Sequence, residues 1–299
     1  EAFAGIRDSP ERKTYEAVVS LEDEELTDVE HIDGAQPSIA SQEFIECEQT
    51  VKENEEWQAA LRDRGVEDTD RAMVDPFSVG YDFIPEDIDR DRRMAHGLSY
   101  LRPNEETGDE GYAKPIHGLH AFVDLDAMEV VKVVDDGPPD EEHVFPPEEM
   151  HYREGEVDLR DDVEPYDVVQ PNGPSFDVDG HKVEWQNWEF RVGWTQREGL
   201  VLHNIGYNDD GKFRKILNRA SLAEMAVPYG SPDRHDRFKN AMDAGEYNIG
   251  RMAKSLEKRC DCLGYMHYFD AVMNTMDGDV NVVPNAICMH EEDYGLLWE

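Results

Sequence analysis

In "KNAMDAGEYNIG" (239–250) one acid, Asp243, stands among Ala241, Ala244 and Gly245, and Tyr229 lies fourteen residues upstream in "VPYGSPD". A carboxylate in a confined, partly dry place has a raised pKa and can serve as a base near neutral pH. A phenol beside it can hold a ligand oxyanion by hydrogen bonding. Glycine lets a ligand approach the backbone closely. The plainer reading is an Asp that caps a turn, and spacing alone favours it. Glu246 could complete an acid–base pair for hydrolysis, but two carboxylates three apart on a loop have no fixed separation.

Other reactive residue types group less tightly. The cysteines are Cys47, Cys260, Cys262 and Cys288, which form neither a CxxC redox pair nor the two close pairs of a zinc site. A disulfide from one of the close pair to Cys288 would close a loop of roughly 27 residues and contribute about 3 kcal/mol. Buried free thiols fit the spacing equally. His117 with His120, and His290 with Glu291 and Glu292, lack a third ligand at a recognisable spacing, and read as structural or surface groups. "DGDVN" (277–281) reads as a turn, and the charges of "DIDRDRRMAHG" (87–97) as a solvated pairing cluster.

The charge balance limits the partners. With 69 acidic and 29 basic residues the formal net charge is −40, which repels nucleic acid and anionic membranes. An apolar content of 39%, rich in aromatics, argues against disorder. The acids run from Glu1 to Glu299 rather than forming a tail, and only ten basic residues are Lys. This fits a halophilic origin, where about 1 M salt screens charge within ~3 Å. No apolar run approaches the ~18–20 residues of a membrane span. The first residues, "EAFAGIRDSPERK", lack the basic start of a signal peptide and read as the interior of a longer chain. Location stays open between a high-salt cytoplasm and secretion.

These groups must be held by elements the pattern outlines. "TYEAVVS" (14–20) reads as a buried strand with no partner nearby. A helix follows with Ser41 as its cap and Phe44, Ile45 and Val51 on one side; a second starts at Asn54, buries Trp57, Ala60 and Leu61, and ends at Gly65. "HAFVDLDAMEVVKVVDDG" (120–137) reads as two strands joined at Asp126–Ala127. The Pro-rich acidic stretch 136–169 is a linker. Beyond it, the phase slip at Gln186–Asn187 marks a bulge or tight turn, and Asp209-Asp210-Gly211 a hairpin. The fold class is α+β: residues 1–34 the end of a preceding small α/β domain, 35–135 a small α/β domain, and 170–299 the first part of a large antiparallel β-sandwich.

Six stretches then occur in order: "QPNGPSF" (170–176), "WQNWEFRVGWTQREGLVLHNIGYND" (185–209), "NRASLAEMAVPYGSPD" (218–233), "DAGEYNIG" (243–250), "CDCLGYMHYFDAV" (260–272) and "NAICMHEEDYGLLWE" (285–299). Together they resemble the copper- and topaquinone-dependent primary amine oxidases. "GLHAFVDLDAMEVVKVVDDG" resembles the small domain ahead of that family's catalytic sandwich. The likeness is dense over 118–136 and 170–299 and looser over 15–117.

The resemblance implies oxidation of a primary amine by O2 to an aldehyde, ammonia and hydrogen peroxide. Asp243 would take the α-proton from the substrate–quinone Schiff base, and Tyr229 would hydrogen-bond the quinone. Cys262 and Cys288 would form the family's disulfide. Ala241 falls where many members carry an aromatic gate to the substrate channel; Tyr247 would line the same cavity, and Phe44, Phe77 and Tyr112 either its wall or the core. A homodimer is implied for the full-length protein. The family's quinone-forming T-x-x-N-Y-[DE] segment and copper-binding H-x-H pair do not occur in this sequence. The expectation is therefore an inactive internal fragment, holding no catalytic copper and forming no topaquinone. Its alternative is a non-catalytic module serving as a channel or dimerisation platform.

Overall fold

The computed structural model describes residues 2–79, 84–102, 111–137, 158, 160–230, 239–275 and 279–292. They fall into two compact units, Glu1–Asp158 with Ala226–Ala241, and Leu159–Met225 with Met242–Glu299.

The first unit opens with β1 (Ala2–Asp8), β2 (Lys13–Ser20) and β3 (Glu25–Ile32), an antiparallel sheet in the order β1-β2-β3. The strand expected to lack partners therefore has one on each side, and no helix accompanies it among the described residues of 1–34. Its neighbours were missed because their outward residues give weak alternation: β3 is exposed almost throughout. Arg7 holds this sheet to the Asp126 carboxylate through Nε at 3.0 Å and Nη2 at 2.6 Å.

Helices α1 (Ser41–Lys52) and α2 (Glu55–Asp63) come next. The α1 cap is Ala40 rather than Ser41: Ala40 N–H donates to Glu43 Oε2 at 2.7 Å, three residues into the chain ahead. Its buried stripe runs through Cys47 and Val51, with Phe44 half-buried and Ile45 exposed instead of inward. The α2 reading holds: Asn54 Oδ1 accepts Trp57 N–H at 3.0 Å, Trp57, Ala60 and Leu61 are buried, and Gly65 takes φ +80°.

The helices pack on an antiparallel sheet of β4 (Ala72–Ser78), β5 (Met94–Leu101), β6 (Pro115–Asp124) and β7 (Glu129–Asp135), in that order. The indole of Trp57 donates to Ser99 Oγ at 2.9 Å, so α2 covers the β5 face that carries Ser99. By strand alternation His96, Leu98 and Tyr100 face the other way. Register sets Asp75 opposite Leu98 and Phe77 opposite His96, on that same second face. Ile84 and Ile88 close over Met94 and Phe122. β5 is buried on both faces, which removes the alternation that would have revealed it.

The charge cluster of 87–97 is not simply solvated. Arg93 is buried, clasps the Glu43 carboxylate, and donates from Nη2 to Ser38 O at 2.9 Å. The buried Asp124 carboxylate takes the amides of Asp126 and Ala127 at 2.9 and 3.1 Å, together with Arg12 and Arg92. A buried ionic group needs this full set of partners. Most of the 136–169 stretch lies outside the described residues.

In the second unit β8 (Phe176–Asp179), β9 (Lys182–Trp185), β10 (Trp188–Thr195), β11 (Gly199–Asp209) and β12 (Lys212–Ser221) form one antiparallel meander. The phase slip is a tight turn with Gln186 at φ +54°, and Asp210 and Gly211, at +49° and +80°, make the next hairpin. Short strands β13 (Ala226–Pro228) and β14 (Asn240–Met242), which fall in the first unit except for Met242, pair with each other. The hairpin of β15 (His267–Asn274) and β16 (Val280–Met289) adds Phe269 and Ile287 to a core with Phe176, Val183 and Val192 of the meander. Apolar faces of two antiparallel sheets thus meet, as expected of a sandwich. "DGDVN" lies partly outside the described residues. Among the described residues no helix is long and apolar enough to cross a membrane.

Glu291 ties the end of this unit to its start. It accepts Ser175 N–H at 2.7 Å, Gln170 Nε2 at 2.5 Å and Trp185 Nε1 at 2.8 Å. The Ser175 amide, with help from the two side chains, holds its pKa down to about 2 against an ordinary 4.5. A carboxylate depressed by folding stabilises above its unfolded pKa and loses that contribution as pH falls through the folded one. Thermal melts from about pH 4.5 down to about pH 2 should therefore show a steeper loss of stability in the wild type than in Glu291→Gln. Parallel profiles would remove Glu291 from the acid transition.

Candidate functional site

The backbone around Asp243 is fixed by a carboxylate. Glu224 accepts the amides of Ala244 and Gly245, each at 2.9 Å, while Asp243 N–H donates to Met225 O at 3.0 Å. Glu246 N–H donates to Met242 O at 2.8 Å, and Glu246 Oε2 accepts Met242 N–H at 3.0 Å. Glu246 is thus occupied in closing the turn, which fits poorly with a hydrolytic partner for Asp243. A Cβ on Gly245 would lie 2.6 Å from Glu224 Oε2, so the absence of a side chain lets the carboxylate sit there. Asp243 and Tyr247 are half-buried and Ala241 is buried.

Tyr229 belongs to the other unit, just after β13, and its amide donates to Lys239 O at 3.2 Å. Tyr229 is 51% exposed, and its ring meets Phe77 edge-on, with centroids 6.1 Å apart. The Lys239 ammonium lies 4.6 Å from the Tyr229 ring centroid, 5.2 Å from that of Tyr100 and 5.6 Å from that of Phe77. It also donates to Tyr100 Oη at 2.6 Å. Tyr112, itself 53% exposed, meets Tyr100 edge-on at 5.1 Å. Burial pushes the Asp75 carboxyl above its ordinary pKa, while a hydrogen bond to Tyr112 and the Lys239 charge pull the other way.

Of the residues expected along the channel, Phe77 meets the Tyr229 ring, Tyr112 meets Tyr100, and Phe44 is half-buried on α1. Lys239, Tyr100 and Asp75 were missed. Asp75 had a signal, being two residues before Phe77 and so on the same strand face. Lys239 had none: it follows a mixed-charge run with no periodicity.

Cys262 and Cys288, expected to be bonded, are free thiols here. Their sulfurs and a His290 ring nitrogen lie within 4.8 Å of one another, whereas a disulfide needs about 2.05 Å. The β15–β16 register, with Tyr268 opposite Cys288, brings them close. Burial, and next the Cys262 hydrogen bond, push the Cys288 thiol up to about 12. Cys260 is exposed; Cys47 is buried, which raises its pKa to about 12. His120 is structural: its Nδ1 is 2.9 Å from Nε2 of buried His96, whose pKa burial lowers to about 3.

Residues 42–152 match the copper amine oxidase N3 domain, and residues 177–299 the copper amine oxidase enzyme domain. The chain is 43% identical over 271 residues to a peroxisomal copper-containing diamine oxidase of Nicotiana tabacum, covering 88% of this chain and 34% of that one. It is 42% identical over 301 residues to a primary amine oxidase of Arthrobacter sp. (strain P1), covering 100% of this chain and 45% of that one. A crystal structure of a copper-containing benzylamine oxidase from Hansenula polymorpha superposes with a TM-score of 0.78 at 28% identity, over 96% of this chain and 45% of that one. The chain thus spans between 34% and 45% of these relatives' lengths.

Glu224→Ala removes two charge-assisted bonds to the Asp243 turn. Amide hydrogen exchange at Ala244 and Gly245 should speed up by roughly tenfold or more, since such bonds are worth about 1.5–3 kcal/mol. Unchanged protection would mean that the turn is held by something else.

Proposed function

Because this chain belongs to the copper amine oxidase family, we propose that it is part of a primary-amine oxidase, converting R-CH2-NH2, O2 and water to an aldehyde, ammonia and hydrogen peroxide. The observation that carries this reading is the Asp243 turn, pinned through Glu224 so that a half-buried carboxylate keeps one position. A base works when its geometry is fixed before the proton moves.

In this reading Asp243 accepts the proton from the carbon next to the amine, and the Tyr229 phenol holds the cofactor by a hydrogen bond. Ala241 and Tyr247 border the cavity, and Phe77, Tyr112 and Phe44 line the approach. Copper and topaquinone would supply the oxidation when bound, the quinone as electron acceptor. The residues here do not fit the H-x-H copper centre that the resemblance implies. Among the described residues the one three-donor cluster is two thiols and an imidazole, and the sequence has neither an H-x-H pair nor an Asn-Tyr. We assign both groups to residues outside this chain, so the chain by itself is inactive, and the complete protein is a homodimer.

Oxidation by O2 would join Cys262 to Cys288, with two protons and two electrons passing to peroxide. Iodoacetamide labelling of the denatured, unreduced oxidised protein should then mark Cys47 and Cys260 alone; four labels would rule the bond out.

An Asn at 243 cannot accept the proton. In the complete protein Asp243→Asn should keep the quinone absorbance and lose at least about a hundredfold in kcat, the low end for a general base. Near wild-type peroxide production would refute the assignment of Asp243.

A further inference from the structure

We propose that Cys262, Cys288 and His290 form a zinc site in the reduced protein, and that the metal and the Cys262–Cys288 bond are alternative states of one place. The two sulfurs and a His290 ring nitrogen lie within 4.8 Å of one another. A tetrahedral zinc, with Zn–S about 2.3 Å and Zn–N about 2.0–2.1 Å, sets such atoms about 3.5–3.8 Å apart. The cluster is little wider than that spacing. Two thiolates and an imidazole suit zinc, whereas magnesium and calcium take oxygen ligands. Among the described residues the cluster has three donors, so water takes the fourth position, as it does in zinc sites that stay open.

The three donors sit on main chain that is already held. Cys262 ends a compact loop in which Asp261 Oδ2 accepts Glu257 N–H at 2.7 Å and Arg259 N–H donates to Cys262 O at 2.8 Å. Cys288 lies on β16 opposite Tyr268 of β15, and His290 is the first residue beyond that strand. Its neighbour Glu291 is anchored to Ser175, Gln170 and Trp185. Ligands on fixed main chain need little ordering when a metal arrives. All three are half-buried and belong to one compact unit. Sequence spacing hides the set, because β15 and its turn separate Cys262 from the other two.

Binding needs no redox partner. Zinc displaces the two thiol protons, which pass to solvent, and stays divalent throughout. The two thiolates cancel its charge, and the imidazole binds neutral. Without metal, the Cys288 thiol is hydrogen-bonded to Cys262, and zinc replaces that contact. The disulfide takes the other course: the same sulfurs give two protons and two electrons to O2, forming peroxide and an S–S bond of about 2.05 Å. Zinc keeps the sulfurs about 3.8 Å apart, beyond bonding reach. A disulfide in turn offers no thiolate to a metal. None of this depends on the amine oxidase reading.

The reduced chain, stripped of metal and kept free of O2, should bind one equivalent of Zn2+ in competition with a chromophoric chelator. Co2+ in its place should show thiolate-to-metal charge-transfer absorption. Cys262→Ser and Cys288→Ser should each weaken binding at least about a hundredfold, the upper end for losing even an outer-shell partner. His290→Gln, at a half-buried position beyond β16, should weaken it about tenfold or more and keep the thiolate absorption. Cys260→Ser, at an exposed position, should bind as the wild type does. Zinc added before air should leave all four cysteines open to iodoacetamide on denaturation with a chelator, against two after oxidation without zinc. No stoichiometric binding by the reduced wild type, unchanged binding in Cys288→Ser or His290→Gln, or an equal loss in Cys260→Ser would overturn the site. Two labels despite bound zinc would overturn the exclusion. Four labels in both samples would strike the bond and with it the alternation, while the titration still decides the site.

Discussion

A carboxylate accepting backbone amides is the interaction on which much of this molecule's geometry depends. With 69 acids and 29 lysines and arginines, most carboxylates cannot find a cation. The ones that shape the fold take main-chain amides, with an arginine added at Glu43 and Asp124. Glu43 caps α1 through Ala40 N–H, Asp124 closes the β6–β7 turn through two amides, Glu224 holds the Asp243 turn through two more, and Glu291 takes Ser175 N–H. Hydrogen bonds to a charged acceptor are roughly twice as strong as neutral ones and supply direction as well as energy. An acidic composition that adds self-repulsion thereby also furnishes the local clamps.

The scarce arginines join segments far apart in sequence. Arg93 joins the loop before α1 to Glu43, and Arg7 and Arg12 fasten the first sheet to the Asp124–Asp126 turn. Their planar guanidinium groups bridge several acceptors at once, as a lysine could not. Lys239 is of a different kind. Its ammonium lies over the rings of Phe77, Tyr100 and Tyr229 and donates to Tyr100 Oη, so it draws β4, β5 and the segment after β13 together.

Local signals carried a good part of this fold. Asn54 and Gly65 bounded α2, and Asp210-Gly211 and Gln186 marked their turns, because capping and positive φ are properties of a few neighbouring residues. Signals failed where burial came from distant elements. β5 has no alternation because both its faces are covered, and Ile45 of α1 turned outward although it is as apolar as Val51. At the site, Asp243 stood out by its small neighbours, but Glu224 did not. Nineteen positions separate the two in sequence, and only the return of the chain brings the carboxylate to the amides.

On the proposed reading, position 241 is where relatives place an aromatic gate, and a methyl group there leaves that gate unbuilt. Two residues earlier the same segment sends an ammonium onto rings supplied by β4, β5 and Tyr229. A bulky ring restricts a channel by shape, rejecting any tail too wide to pass. On that reading a methyl group at 241 would widen the range of tails accepted, a change in selectivity that leaves Asp243 and its clamp untouched.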